Sequence, residues 1–203
     1  MRIFLVRHGQ TTANLSGVFY GSTDLSLSPQ GIAQSQRVAG FLAGVAFGQT
    51  RVSALQRAQQ TARLIVPTAH DVQVDARLNE LDFGKWEMRH YSDIEKENPA
   101  SWQRWMDDWQ NATPDGGEAF PHFAARVRAA AADEMSQLQQ HEEMLIVAHQ
   151  GVLSLLLATW LGMPPAAMWH FPFSHDAYTV VENRAGHWVL RVFNGRSVWQ
   201  TEE

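Results

Sequence analysis

With 203 residues, 45% of them hydrophobic and 18% charged, the chain is long enough for one well-filled core with a subdomain at most. A formal charge of −5 argues against a general nucleic-acid or anionic-membrane surface, though arginines can still gather in one pocket for a small anion. There is no cysteine, hence no disulfide framework and no thiol chemistry. The N-terminal apolar run is too short for a signal peptide, and residues 152–157 are too short to cross a bilayer, so a soluble, cytoplasmic domain is expected.

Ile3-Phe4-Leu5-Val6 reads as a short buried strand. It stops at Arg7-His8-Gly9, and an open α/β sheet places its chemistry at such strand ends. Glycine there lets another group approach the backbone closely. Residues 10–24, rich in Gly, Ser, Thr and Asn, predict a long loop. Ser28 before Pro29 marks a helix N-cap with proline at the first helical position. That helix should end near Gly44 and bury Ile32, Ala39 and Leu42. A short strand over 51–53 and a helix over 57–66, stopped by Pro67, follow. Residues 72–74 predict another strand, leading into an irregular stretch over 78–86.

From 86 to 117 the chain is polar and tryptophan-rich, broken by Pro99, Pro114 and Gly116-Gly117. It predicts a cap of short helices, approximately residues 82–120, inserted within a single domain covering 1–203. Trp102, Trp105 and Trp109 are three and four apart and should share one helical face. A packing stripe is favoured there over an aromatic wall for a flat heterocycle. A long helix follows with Phe120, Phe123, Val127, Ala131 and Leu138 toward the core. Met144-Leu145-Ile146-Val147-Ala148 is a second buried strand, and it ends in His149-Gln150-Gly151 much as the first ends in Arg7-His8-Gly9. Leu153, Leu156, Leu157, Trp160 and Leu161 form one face of the next helix. Residues 178–183 and 188–193 alternate around Arg184-Ala185-Gly186 as a hairpin. Strands alternating with helices predict an α/β fold of three layers, α/β/α, around a mainly parallel sheet.

Three predicted strands thus bring polar groups to one sheet edge: Arg7 and His8, Ser53 with Arg57 beyond it, and His149. Guanidinium forks match the oxygens of a tetrahedral oxyanion, and a histidine can accept a phosphoryl group. Neighbouring positive charge should lower the histidine pKa values and free a ring nitrogen to attack. Glu80, at the entry to the cap, is the leading acid and base, with Asp82 the second choice. Two histidines and a carboxylate could also hold iron or zinc, but two arginines at the same site repel a divalent cation, so no metal and no cofactor is expected.

The chain resembles the histidine phosphatase superfamily, which includes cofactor-dependent phosphoglycerate mutase. The matching pieces are Arg7-His8-Gly9 with Thr11 and Asn14, Ser53-x-x-x-Arg57-Ala58-x-Gln60-Thr61-Ala62, Leu78-Asn79-Glu80-x-x-x-Gly84-x-Trp86-Glu87, and Ala148-His149-x-Gly151. The resemblance implies a phosphoglycerate mutase-like fold, with His8 as the phosphorylated nucleophile and Glu80 as proton donor and acceptor. It implies that Arg7, Arg57 and His149 clamp the phosphoryl group, with Asn14 a secondary contact. Gln10, Ala54 and Gln150 depart from the residues common in the family. A narrower likeness, in Phe83-Gly84-Lys85-Trp86-Glu87-Met88-Arg89-His90 and in 149–156, points to the phosphatases of cobalamin nucleotide-loop assembly, whose substrates carry a benzimidazole-type base. Gly21, Trp86, Arg89 and Gln150 are further candidate substrate contacts, a rim salt bridge being the competing role for Arg89. The implied partner is a small-molecule phosphate monoester, with no nucleic acid and no membrane; the sequence is silent on oligomeric state. A mutase, a broad-specificity phosphatase and a non-catalytic phospho-ligand sensor are the rival readings.

Overall fold

The first strand, β1 (Arg2–Arg7), sends Ile3 and Leu5 into one hydrophobic cluster and Phe4 and Val6 into another, all four wholly buried. Both faces of the strand are covered, which is why its sequence is continuously apolar rather than alternating. The computed structural model describes residues 1–68, 72–137 and 143–200. In chain order the other elements are α1 (Thr12–Ser16), β2 (Val18–Phe19), α2 (Pro29–Phe41), β3 (Phe47–Val52), α3 (Gln56–Ile65), β4 (Val72–Val74), β5 (Arg89–His90) and α4 (Tyr91–Glu97). Then come α5 (Pro99–Asp107), α6 (Phe120–Gln137), β6 (Glu143–Ala148), α7 (Gln150–Trp160), β7 (Tyr178–Arg184) and β8 (His187–Gly195). The main sheet has the order β4-β3-β6-β1-β7-β8, parallel from β4 to β1 and antiparallel through β7 and β8. Val127 of α6 and Leu153 and Leu156 of α7 join Ile146 on one face; Val38 of α2 and Ala58 and Ala62 of α3 join Val147 on the other. The three layers predicted from the alternation are present.

Strand register positions the site. Arg7 lies opposite Ala148 and Val52 opposite Val147, so His8, Ser53 and His149 leave their strands side by side. The ladder runs on into these residues: His8 N–H donates to the Ala148 carbonyl at 3.0 Å and Ser53 N–H to the Val147 carbonyl at 3.1 Å. Tyr178 of the antiparallel β7 faces Val6, which brings the segment before β7 back to the same edge. A side chain at Gly9 would place its Cβ 2.2 Å from the Gly31 carbonyl, so the close approach expected of this glycine is made by the start of α2.

Several local expectations change. Residues 10–24 are not all loop: the Asn14 side chain accepts from Thr11 N–H, and α1 runs from there to Gly17, which is in the left-handed region at φ 63°. The short helices expected over residues 86–117 are α4 and α5, and β5, which precedes them, pairs antiparallel with β2. Ser28 Oγ accepts from Gly31 N–H as an N-cap should, at 3.1 Å. The helix it opens ends at Phe41 rather than near Gly44, and it buries Gly31, Ser35 and Val38 while Ile32 faces outward. Trp109 is not on the face of Trp102 and Trp105, because α5 stops at Asp107. Helix α7 has no polar face along its middle: residues 152–158 are all buried, between the sheet, α6 and the 3₁₀ turn Pro165–His170. Phe120, Phe123, Val127 and Ala131 of α6 are buried as expected, and Leu138 lies outside the described residues. Among the described residues no helix is long and apolar enough to cross a membrane.

Candidate active site

A cavity of about 230 Å³ opens at the C-terminal edge of the parallel strands. Arg7, His8, Asn14, Tyr20, Arg57, Glu80, His149 and Gln150 line it. A larger depression beside β8, about 670 Å³, is lined by Leu190, Val192, Val198 and Trp199 among others and holds none of the strand-end groups.

His8 is buried, and its Nδ1 stands 2.7 Å from the carbonyl oxygen of Gly9. A carbonyl only accepts, so Nδ1 carries the hydrogen, and the neutral ring keeps its lone pair on Nε2. Burial, reinforced by His149, Arg57, Arg7 and His175, holds the ring well below the ordinary histidine value. The sequence attributes this lowering to neighbouring charge; in the structure desolvation leads. The His149 ring lies 5.1 Å from that of His8, centroid to centroid, and burial followed by Arg57 and Arg7 lowers its pKa too. Its Nε2 meets Ser53 Oγ at 2.7 Å. Ser53 in turn donates to Asn79 Oδ1 at 2.8 Å, and Ala54 N–H fixes that oxygen at 2.9 Å.

The guanidiniums are held by backbone carbonyls. Arg7 donates to the Phe173 carbonyl at 2.8 Å. Arg57 donates to the carbonyls of Thr23 and Gly21, each at 2.7 Å, and its charge sits 4.7 Å from the Tyr20 ring centre. Arg7 Nε, Arg57 Nε and His149 Nδ1 are buried without a hydrogen-bond partner. Each such atom costs about 1–3 kcal/mol, and together they suit a site that a polar ligand completes.

Glu80 Oε1 accepts from Leu81 N–H and Oε2 from Gly151 N–H, at 3.0 and 2.9 Å. A Cβ at Gly151 would stand 2.6 Å from Glu80 Oε1. Gly151→Ala should therefore move the carboxylate while favouring the first turn of α7 by about 0.5–1 kcal/mol. The expected result is an unchanged or raised melting temperature with kcat lowered roughly ten- to a hundred-fold, since small misplacements of reacting groups are that costly. Unchanged kcat would remove Glu80 from the chemistry.

Three expected substrate contacts lie outside this cavity. Gly21 sits behind Arg57, its N–H bonded to Glu87 and its carbonyl to the guanidinium. Trp86 is buried against Phe19, Trp102 and Trp105. Arg89 forms a salt bridge with Glu97. Asn14 does line the cavity, but its amide oxygen is taken by Thr11 and the Tyr20 hydroxyl. Gln150 is fixed by Ser154, Phe171 and Phe173.

The sequence reading misses His175, Tyr20 and the part played by Glu87. His175 Nδ1 donates to the His8 carbonyl at 2.6 Å, its ring 5.4 Å from that of His8. The signal for it is topological: it precedes a strand antiparallel to β1. Glu87 accepts from the N–H groups of Gly21, Ser22, Thr23 and Phe83. Burial pushes its pKa up, but these bonds, with that of the Thr23 hydroxyl, hold it below the usual carboxylate value. It thereby fixes the two carbonyls that orient Arg57.

Burial, followed by Arg7, brings His175 down to about 4. Three neutral histidines therefore withhold protons that the unfolded chain would bind near pH 6.5. Folding stability should rise with pH through that region and be lost below it, by up to about 1.4 kcal/mol per pH unit for each ring. The His175 contribution ends near pH 4, where the folded ring also titrates. Thermal unfolding midpoints should decline between about pH 7 and pH 5, and a flat profile would contradict neutral buried rings.

Fold and site together define a class: a three-layer α/β protein with buried imidazoles and guanidiniums gathered for an oxyanion at the end of its parallel strands. The chain belongs to the histidine phosphatase superfamily (branch 1), whose family model matches residues 3–196. It is 41% identical over 199 residues to the adenosylcobalamin/α-ribazole phosphatase of Escherichia coli strain K12, covering 98% of each chain. The crystal structure of the α-ribazole phosphatase from Shigella flexneri superposes with a TM-score of 0.94 at 39% identity, covering both chains completely (100%). A mycobacterial glucosyl-3-phosphoglycerate phosphatase superposes with a TM-score of 0.82 at 29% identity, over 95% of this chain and 98% of that one.

Proposed function

We propose that the chain is a phosphomonoesterase that removes the 5′-phosphate of α-ribazole 5′-phosphate, adenosylcobalamin 5′-phosphate or both, during cobalamin nucleotide-loop assembly. Full-length similarity to phosphatases so named supports the substrate. The observation that carries the chemistry is the His8 tautomer, a ring fixed through Nδ1 with Nε2 left to attack, in a cavity also lined by Arg7, Arg57 and Glu80.

In the first displacement His8 Nε2 forms a bond to phosphorus, the ester P–O bond breaks, and the Glu80 carboxyl gives its proton to the leaving 5′-oxygen. In the second, the Glu80 carboxylate takes a proton from water as the water oxygen attacks phosphorus. The N–P bond then breaks, inorganic phosphate leaves, and both groups are restored. Arg7 and Arg57 hold the equatorial oxygens, where charge spreads during phosphoryl transfer, with Asn14 a secondary contact and Gln150 a support for Arg7. His149, whose Nε2–H is given to Ser53, joins them by taking a proton on Nδ1 as the anion binds. Residues 82–120 act as a cap over the leaving group, within one domain. The partner is a small phosphate monoester in the cytoplasm, without metal, cofactor, nucleic acid or membrane.

The test is kcat/KM for α-ribazole 5′-phosphate against 3-phosphoglycerate, simple sugar phosphates and nucleotides. A preference of roughly a hundred-fold or more, corresponding to about 2.7 kcal/mol in the transition state, is expected. Comparable values throughout would reduce the reading to a broad histidine phosphatase, and return of the phosphoryl group to phosphoglycerate would make it a mutase.

A further inference from the structure

The wall of the phosphate cavity continues into a second cavity of about 260 Å³, and the two share Phe19, Glu80, Phe83 and Gln150. The remainder of the second cavity is apolar, with Trp105, Trp109, Met168 and Trp169 prominent in it. Trp109 is set edge-on to Phe120 at 4.6 Å and to Trp169 at 5.3 Å, so these rings hold one another in place. Trp169 is 58% exposed, although tryptophan is highly buried on average. Trp86 and Trp102 are absorbed in the packing around Phe19 and do not line this space.

Size and polarity restrict what fits. An apolar cavity of about 150 Å³ holds a benzene molecule, so this one has room for two fused rings. The side-chain acceptors lie only at the junction, where each Glu80 oxygen already takes one backbone N–H and the Gln150 oxygen that of Phe173. The polar side-chain atoms left on the aromatic walls are indole N–H groups, which only donate. Beyond the junction the amino and N–H edges of a nucleobase would face no side-chain acceptor, at a free-energy cost. An N-substituted benzimidazole offers two π faces, an apolar edge and a single ring acceptor. Glu80 stands where the cavities join, so a substrate with phosphorus at His8 sends its leaving oxygen past Glu80 and its base beyond.

We infer that the second cavity is the leaving-group subsite and selects an apolar-edged, bicyclic heteroaromatic base over nucleobases, with Trp109 and Trp169 as the side chains that set this specificity. The inference rests on the phosphomonoesterase reading. The test compares wild type, Trp109→Ala and Trp169→Ala on α-ribazole 5′-phosphate and on ribose 5-phosphate, which lacks the base. Each variant should lose roughly ten- to a hundred-fold in kcat/KM on the first ester and stay within about two-fold on the second, as for the loss of a stacking ring. The exposed Trp169 provides the variant that keeps its fold if Trp109→Ala does not. Equal losses on both esters, or no wild-type preference for the ester with the base, would overturn the subsite and leave the phosphatase reading standing. Hydrolysis of neither ester would defeat that reading instead. The subsite then rests on calorimetric titration of free α-ribazole: binding weakened by either substitution supports it, and absence of binding to wild type overturns it.

Discussion

His8→Ala is expected to abolish turnover, lowering kcat on the order of 10⁵-fold, the scale seen when a covalent nucleophile is removed while the surrounding binding groups stay. The ring's one described hydrogen bond is local, from Nδ1 to the Gly9 carbonyl, so its loss should leave the fold intact. Arg7, Arg57 and His149 keep their own partners and should still bind inorganic phosphate. The decisive measurement is quenching of wild type during turnover. A phosphoryl label that is acid-labile and alkali-stable is expected there and should be missing from the variant. Normal turnover by His8→Ala would refute the double-displacement scheme.

The second large effect belongs to Glu80. Glu80→Gln should lower kcat on α-ribazole 5′-phosphate about 10²- to 10⁴-fold, the usual range for a general acid and base. With p-nitrophenyl phosphate, whose leaving group needs no proton, phosphorylation should survive and hydrolysis of the phosphoenzyme should limit the rate. A pre-steady-state burst of nitrophenolate is the expected sign. Glutamine keeps one oxygen for the two backbone donors that Glu80 satisfies, so a stability loss of about 1 kcal/mol should accompany the change. Equal losses on both esters without a burst would show that Glu80 supports the site rather than moving protons.

The catalytic edge is legible in the sequence because continuous apolar runs reveal strands buried on both faces, and because Arg7, His8 and His149 stand directly at their ends. Ser28-Pro29 reveals the start of α2 through a local hydrogen bond. His175 and Tyr20 escape because neither is placed by local pattern. One arrives through the antiparallel return of β7, the other by stacking on Arg57 from a polar loop. Spacing places Trp109 with Trp105 only if the helix continues, and Asp108, at φ −148°, ends it. The same break frees Trp109 for the second cavity. Ile32 is exposed because the buried face of α2 is set by the close approach of Gly31 to Gln10, a tertiary contact that periodicity does not register.

The pairing of β1 with β6 also ties the chemistry to the fold's own proofreading. Sliding β1 by one position would turn Ile3 and Leu5 toward α2 and α3, and Phe4 and Val6 toward α6 and α7, mismatching both interiors at once. The same slide would take His8 out of line with His149. A chain that mispairs here cannot persist as a well-folded but idle protein, because the error that disarms it also unmakes its core. Insertions and deletions in this stretch should be met as loss of soluble protein, while variation that retunes the enzyme is confined to the loops and the tryptophan-rich residues 86–117.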